Sequence, residues 1–147
     1  MDTQEEFIKA EAKAIDLLAR RNHFKDELIK KLINKGFSKN ISVEVTNKMI
    51  ERGYIKEHDH VLFYIQELKN KKKGYFDVLL HLKAKGIDDD LAKTACKENY
   101  SIEEEIQNIQ KIIERKKLVF TPNELKIKNI YYLQNKGFRL DAIKKAF

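Results

Sequence analysis

One hexapeptide pattern occurs three times along the chain: Leu32-Ile33-Asn34-Lys35-Gly36-Phe37, Leu82-Lys83-Ala84-Lys85-Gly86-Ile87 and Leu133-Gln134-Asn135-Lys136-Gly137-Phe138. The pattern is Leu-x-x-Lys-Gly-apolar, and its glycines stand 50 and then 51 residues apart. A fixed period of that length indicates that one supersecondary unit has been copied. A single instance would signify only a helix stop, with a cation at the negative end of the helix dipole and glycine as the left-handed cap. Three instances at near-constant spacing define a repeat. Upstream, Leu18 and Leu68 each precede their glycine by 18 residues, whereas Ile113 precedes Gly137 by 24, the extra length falling around Val119-Phe120-Thr121-Pro122. Downstream, Ile41 and Leu91 each follow their glycine by five residues and open the next element.

Each copy reads as helices throughout. Phe24, Leu28, Ile29, Leu32 and Ile33 fall on one helical face, and Ile41, Val45 and Met49 recur at every fourth position, as do Val61 and Ile65, with Leu68 one turn further on. Thr3…Glu6, Ser101…Glu104 and Thr121…Glu124 have capping-box spacing, and Pro122 suits a first helical position. Gly36, Gly53, Gly86 and Gly137 each follow a helical run. Five glycines and one proline in 147 residues are too few for a turn-rich all-β fold. The spacing predicts helices over 4–21, 24–35, 38–51, 59–71, 75–85, 89–98, 102–117, 122–136 and 139–146. The expected fold is all-α: a single repeat domain over 1–147, its three tandem three-helix units covering 4–58, 59–100 and 101–147 in an elongated, solenoid-like stack. Phe37, Ile87 and Phe138 are expected to pack where one helix hands over to the next.

Charge and cysteine usage narrow the class. Apolar residues make up 42% and charged residues 36%, and the formal charge is +7, which describes a core-forming, basic protein and not a disordered basic tail. A lone cysteine, Cys96, closes no intrachain disulfide and fits a reducing, cytoplasmic setting. Apolar runs such as Val61–Ile65 are far too short to span a bilayer, and an acidic start is unlike a signal peptide.

The candidate binding residues are basic. Arg20-Arg21, Lys71-Lys72-Lys73 and Arg115-Lys116-Lys117 fall at the end of each first helix; Lys35, Lys85 and Lys136 end each second helix, and Arg139 follows the last glycine. Repetition in a stack would turn these into a stripe suited to phosphates or an acidic partner. Cations at helix C-termini also complement the macrodipole in any protein, so both explanations stand. Phe24, Tyr75, Phe76 and Phe120 lie beside the clusters and could stack on bases, or pack inward as aromatics at helix starts commonly do. Glu57-His58-Asp59-His60 has the wrong spacing for a tetrahedral metal site and reads as an acidic helix start, as does Asp88-Asp89-Asp90. Cys96, His23 and His81 belong to no recognisable catalytic motif, and no phosphate loop or dinucleotide fingerprint occurs. Neither an enzyme nor a cofactor is expected.

The ordered set Leu18-Ala19-Arg20-Arg21, Glu27-Leu28, Leu32 to Phe37, Gly53-Tyr54-Ile55, Lys73-Gly74-Tyr75, Leu82 to Ile87 and Lys136-Gly137-Phe138 resembles the RecX family, bacterial regulators of the RecA recombinase. The resemblance covers residues 10–147. It implies a curved protein of tandem three-helix repeats that binds in the groove of the RecA filament on single-stranded DNA, inhibiting ATPase activity and strand exchange. It also implies a monomer without a membrane partner. Two departures stand out: Lys56-Glu57 follows Gly53-Tyr54-Ile55 where the family usually has Asp, and the third copy carries the insertion noted above. A general helical DNA-binding protein, or an adaptor for an acidic protein, remains compatible with the charges.

Overall fold

The computed structural model describes residues 2–147. Among the described residues there are nine α-helices and no strand: α1 (Thr3–Arg20), α2 (Lys25–Asn34), α3 (Lys39–Glu51), α4 (Glu57–Asn70), α5 (Tyr75–Ala84), α6 (Asp89–Asn99), α7 (Ile102–Lys116), α8 (Asn123–Asn135) and α9 (Leu140–Lys145). The chain divides into two compact units, Met1–His60 and Val61–Phe147, with the division inside α4. The first contains α1 to α3 and the start of α4. The second contains the rest of α4 and α5 to α9.

The recurring hexapeptide is a helix stop in every copy. Phe37, Ile87 and Phe138 donate their backbone N–H to the carbonyls of Leu32, Leu82 and Leu133 at 3.2, 3.2 and 3.3 Å. Gly36, Gly86 and Gly137 donate to the carbonyl three residues back at 3.0 Å or less. This bond pair is the Schellman closure, and the glycine within it has positive φ in each copy. The apolar residue that follows returns to the core: Ile87 and Phe138 are buried and Phe37 is half-buried.

In the first unit α1 and α2 pack against α3. The core holds Ala10, Ala14, Leu17, Leu28, Leu32, Ile41, Val45, Met49 and Ile55. Ala10 and Ala14, one turn apart and fully buried, let α1 approach closely. Phe24 is buried, its ring stacked 3.9 Å from that of His60, so it serves packing and not base stacking. The Thr3…Glu6 capping box does not form. Asp2 caps α1 instead, accepting from the Glu5 N–H at 2.8 Å, while Glu6 reaches across to accept from the Ser38 N–H at 2.6 Å.

In the second unit α7 and α8 pack on α9, and α5 on α6. Ser101 and Glu104 form their capping box at 3.1 Å in both directions. The Thr121…Glu124 pair does not, since Pro122 occupies the cap position and no side chain completes it. The second and third repeats are joined through one carboxylate. Glu105, with no exposed surface, accepts from the backbone N–H of Tyr75 at 3.0 Å and of Arg139 at 3.2 Å, and from the Arg139 guanidinium. The starts of α5 and α9 are thereby pinned to α7. Alongside, Gly74 donates to the Lys136 carbonyl at 3.1 Å and Phe76 to that of Gly137 at 2.8 Å. A Cβ on Gly74 would stand 2.2 Å from the Gly137 carbonyl carbon, so only glycine fits.

Candidate partner-binding surface

The basic residues singled out in the sequence fall into three groups once their partners are known. Arg139 is consumed by the fold. Its guanidinium pairs with buried Glu105, donates to the Tyr100 carbonyl at 3.0 Å and lies 4.0 Å from the Tyr75 ring centre. It therefore does not belong with an exposed stripe.

A second group is held by local contacts or lies beside the helix caps. Arg20 lies 3.3 Å from Asp16, and Arg21 3.3 Å from Glu27 while also donating to the Asn22 carbonyl. Lys85 and Lys136 lie over the rings of Tyr64 and Tyr132 at 5.9 and 5.2 Å, so part of their role is packing beside the cap. Lys35 is exposed and, with Lys9, Lys13, Ala12, Asp16 and Phe37, borders a shallow depression of about 450 Å³.

The third group has few partners. Lys71, Arg115, Lys116 and Lys117 make no ion pair and no side-chain hydrogen bond among the described residues. Lys72 Nζ reaches only the Asn70 carbonyl, at 3.5 Å, and Lys73 stands 3.9 Å from Asp77, too far for a firm pair. These six cations close α4 and α7, the first helices of the second and third repeats. The two helix ends are geometrically related, because the Asn108 side chain in mid-α7 donates to the Lys69 carbonyl at 3.1 Å and to the Tyr100 hydroxyl. Lys69 itself is nearly buried, bonded to the Asn99 carbonyl at 2.8 Å and paired with Glu104, whose pKa is lowered on balance: burial pushes it up, but Lys69 and Ser101 outweigh that. The scaffold beneath the first run is thus tightly held, and the Tyr100 hydroxyl also donates to the Lys73 carbonyl at 2.7 Å.

Of the aromatics beside these runs, Phe120 stacks on Phe147 at 3.9 Å and Tyr75 lies beneath Arg139. Phe76 is the exception, 51% exposed. Register on the repeat glycine shows that this is no accident of one loop: the equivalent of Phe76 in the third copy is Ile127, and that of Leu80 is Tyr131, all four exposed. The first copy has Asp26 and Lys30 there. Aligning the copies on their glycines would have found this pair in the sequence; no pattern pointed to Glu105, one acidic residue among several opening α7.

Among the described residues no group of three or more His, Cys, Asp or Glu side chains could hold a metal ion. Cys96 is buried, and burial pushes its thiol up to about 11, well away from a reactive thiolate. No helix among the described residues is long and apolar enough to cross a membrane.

Nine helices among the described residues, the recurring glycine caps and the basic runs at the ends of α4 and α7 define an all-helical protein with a basic surface. No protein-family model matches the chain. It is similar to the regulatory protein RecX of Caldanaerobacter subterraneus subsp. tengcongensis, 28% identical over 142 residues, which are 94% of this chain and 68% of that protein. The regulatory protein RecX of Bacillus subtilis is 30% identical over 91% of this chain and 52% of its own length. That of Bacillus velezensis is 31% identical over 94% and 54%. The chain thus spans about half the length of these two Bacillus relatives. Two crystal structures share the fold: RecX from Lactobacillus salivarius, with a TM-score of 0.85 and 22% identity over 97% of this chain and 95% of that one, and a regulatory protein RecX with a TM-score of 0.86 and 19% identity over 98% and 72%. Over nearly its whole length the chain is thus similar to proteins named regulatory protein RecX, and it shares their fold.

Proposed function

We propose that this protein regulates homologous recombination by binding the RecA filament on single-stranded DNA and restraining its ATPase activity and strand exchange, without chemistry or a cofactor of its own. It acts as a cytoplasmic monomer. The observation that carries the reading is the pair of sparsely compensated cation runs closing α4 and α7, on a chain whose likeness to regulatory proteins named RecX extends over nearly its whole length. A nucleoprotein filament offers a dense, regular array of phosphates, and six cations, of which only Lys73 has a counter-charge within 4 Å among the described residues, complement it.

The test is RecA ATPase activity on single-stranded DNA with the full chain titrated in. The parent is expected to inhibit. A variant with Lys71→Gln, Arg115→Gln and Lys116→Gln should keep its melting transition, because exposed cations contribute little to folding, yet require at least about tenfold more protein for the same inhibition. Lys30→Gln with Lys39→Gln, outside the runs, should behave as the parent. No inhibition by the parent refutes the regulator reading; full inhibition by the folded triple variant refutes the assignment of the surface.

A further inference from the structure

Six helix ends among the described residues close with the same pair of backbone hydrogen bonds, and at four of them the left-handed residue is glycine. At the other two it is lysine: Lys72 with φ 59° and Lys117 with φ 54°. These are the repeat equivalents of each other, since the closing bonds run from Lys73 to the Leu68 carbonyl and from Leu118 to the Ile113 carbonyl. A side chain with a Cβ is disfavoured in that backbone region, and glycine is the residue that folds there most easily. Nothing within the fold compensates. Among the described residues Lys117 makes no side-chain contact with an acceptor, and Lys72 reaches one carbonyl at the outer limit of hydrogen bonding.

We infer that Lys72 and Lys117 are a paired contact site for the phosphodiester backbone of one nucleic-acid strand, retained as lysine although glycine would make the fold more stable. The inference rests on the regulator reading for its biological setting and adds a direct nucleic-acid contact to it. Geometry favours a polymeric anion. The end of α4 lies against Asn108, and nine residues of α7 separate Asn108 from Lys117, about 13 Å at the helical rise. A strand supplies successive phosphates along its length, so each ammonium group can meet its own. Composition favours nucleic acid over an acidic protein. Protein interfaces are poor in lysine and rest on buried apolar anchors, and the runs 71–73 and 115–117 contain none. The aromatic nearest them in sequence that is well exposed, Phe76, is of the type that stacks on bases.

The experiment compares the full-length parent with Lys72→Gly/Lys117→Gly and Lys72→Arg/Lys117→Arg, reading thermal stability and the salt dependence of binding to fluorescent oligothymidylate. The glycine variant should melt about 2–8 °C higher than the parent. Its binding should weaken, and the slope of log affinity against log salt should shrink by about 1.4, two phosphates at roughly 0.7 each. The arginine variant should keep the parent's slope. An unchanged slope for the glycine variant, or a parent that does not bind oligothymidylate, overturns the inference. So does a glycine variant that is no more stable than the parent. If the glycine variant loses ATPase inhibition while its DNA slope is unchanged, the lysines face an acidic protein surface and the phosphate assignment falls. A parent that binds oligothymidylate with the expected slope difference, yet leaves RecA ATPase untouched, supports the phosphate site and refutes the regulator reading alone.

Discussion

Replacing Glu105 by Gln tests the join between the second and third repeats. The carboxylate has no exposed surface and accepts three hydrogen bonds, from the Tyr75 and Arg139 backbone and from the Arg139 side chain. Gln preserves the volume but offers one acceptor oxygen, and turns an amide N–H₂ toward donors that have nothing else to bond. Each hydrogen bond to a charged group contributes about 1.5–3 kcal/mol, and removing one partner of a buried ion pair costs about 3–5 kcal/mol. Arg139 retains 23% exposure of its side chain together with its contacts to Tyr100 and Tyr75, so water and those groups recover part of the loss. The expected cost is about 3 kcal/mol, a large fraction of the ~5–15 kcal/mol that keeps a domain folded. Urea unfolding followed by circular dichroism measures it, and faster amide exchange at Tyr75 and Arg139 localises it. In the double variant with Arg139→Met the two losses should fall short of adding by at least about 1 kcal/mol, because both remove the same pair. A Glu105→Gln protein whose stability is within about 0.5 kcal/mol of the parent would refute the reasoning.

Gly74→Ala and Gly137→Ala should each cost more than about 2 kcal/mol, because either Cβ meets backbone at 2.5 Å or less, whereas Gly36→Ala, with open space around it, should show only the cost of its positive φ, about 1 kcal/mol; equal urea midpoints for the three would contradict this. His23 is buried and its pKa is lowered, chiefly by desolvation. Below about pH 6.5 the unfolded chain takes up the proton more readily than the folded one, so stability should fall as pH drops from 7 toward 5. His23→Phe should flatten that slope, measured by urea titration across the range. Cys96 should resist Ellman's reagent in the native protein and react at once in denaturant, its buried thiol being raised to about 11; rapid native modification would show that α6 opens more readily than its packing indicates.

The helix stops were readable because every determinant is local. Leu, Lys, Gly and the apolar residue of the hexapeptide lie within six consecutive residues, and their hydrogen bonds join residues three to five apart. The helix boundaries follow for the same reason. Local signals misled where a long-range partner took over: Glu6 has the spacing to cap its own helix, but the Ser38 N–H, 32 residues away in sequence, claims it. Arg139 is the sharper case. As a cation after a repeat glycine it reads like Lys35 or Lys85, and only Glu105, 34 residues earlier, reveals that it is structural. Gly74 is similar, since its need for glycine comes from the backbone of Gly137 and not from its own dihedral angles.

The same distinction separates the two kinds of basic residue that the repeat carries. A lysine one residue before the cap glycine complements the helix end whatever the protein binds, and Lys85 and Lys136 also lie over a neighbouring tyrosine ring. Their recurrence is explained by folding alone. The runs closing α4 and α7 are different in kind. One cation would satisfy the dipole, yet each run has three, and in each the left-handed position carries lysine where the other four closures of this type use glycine. Folding explains the first charge of each run but neither the excess nor the choice of residue at the cap. The charge that folding leaves unexplained falls on Lys72, Lys116 and Lys117, since Lys73 has Asp77 at 3.9 Å, and it is on these residues that the proposed partner contact rests, while Arg139 and the lysines before the cap glycines drop out.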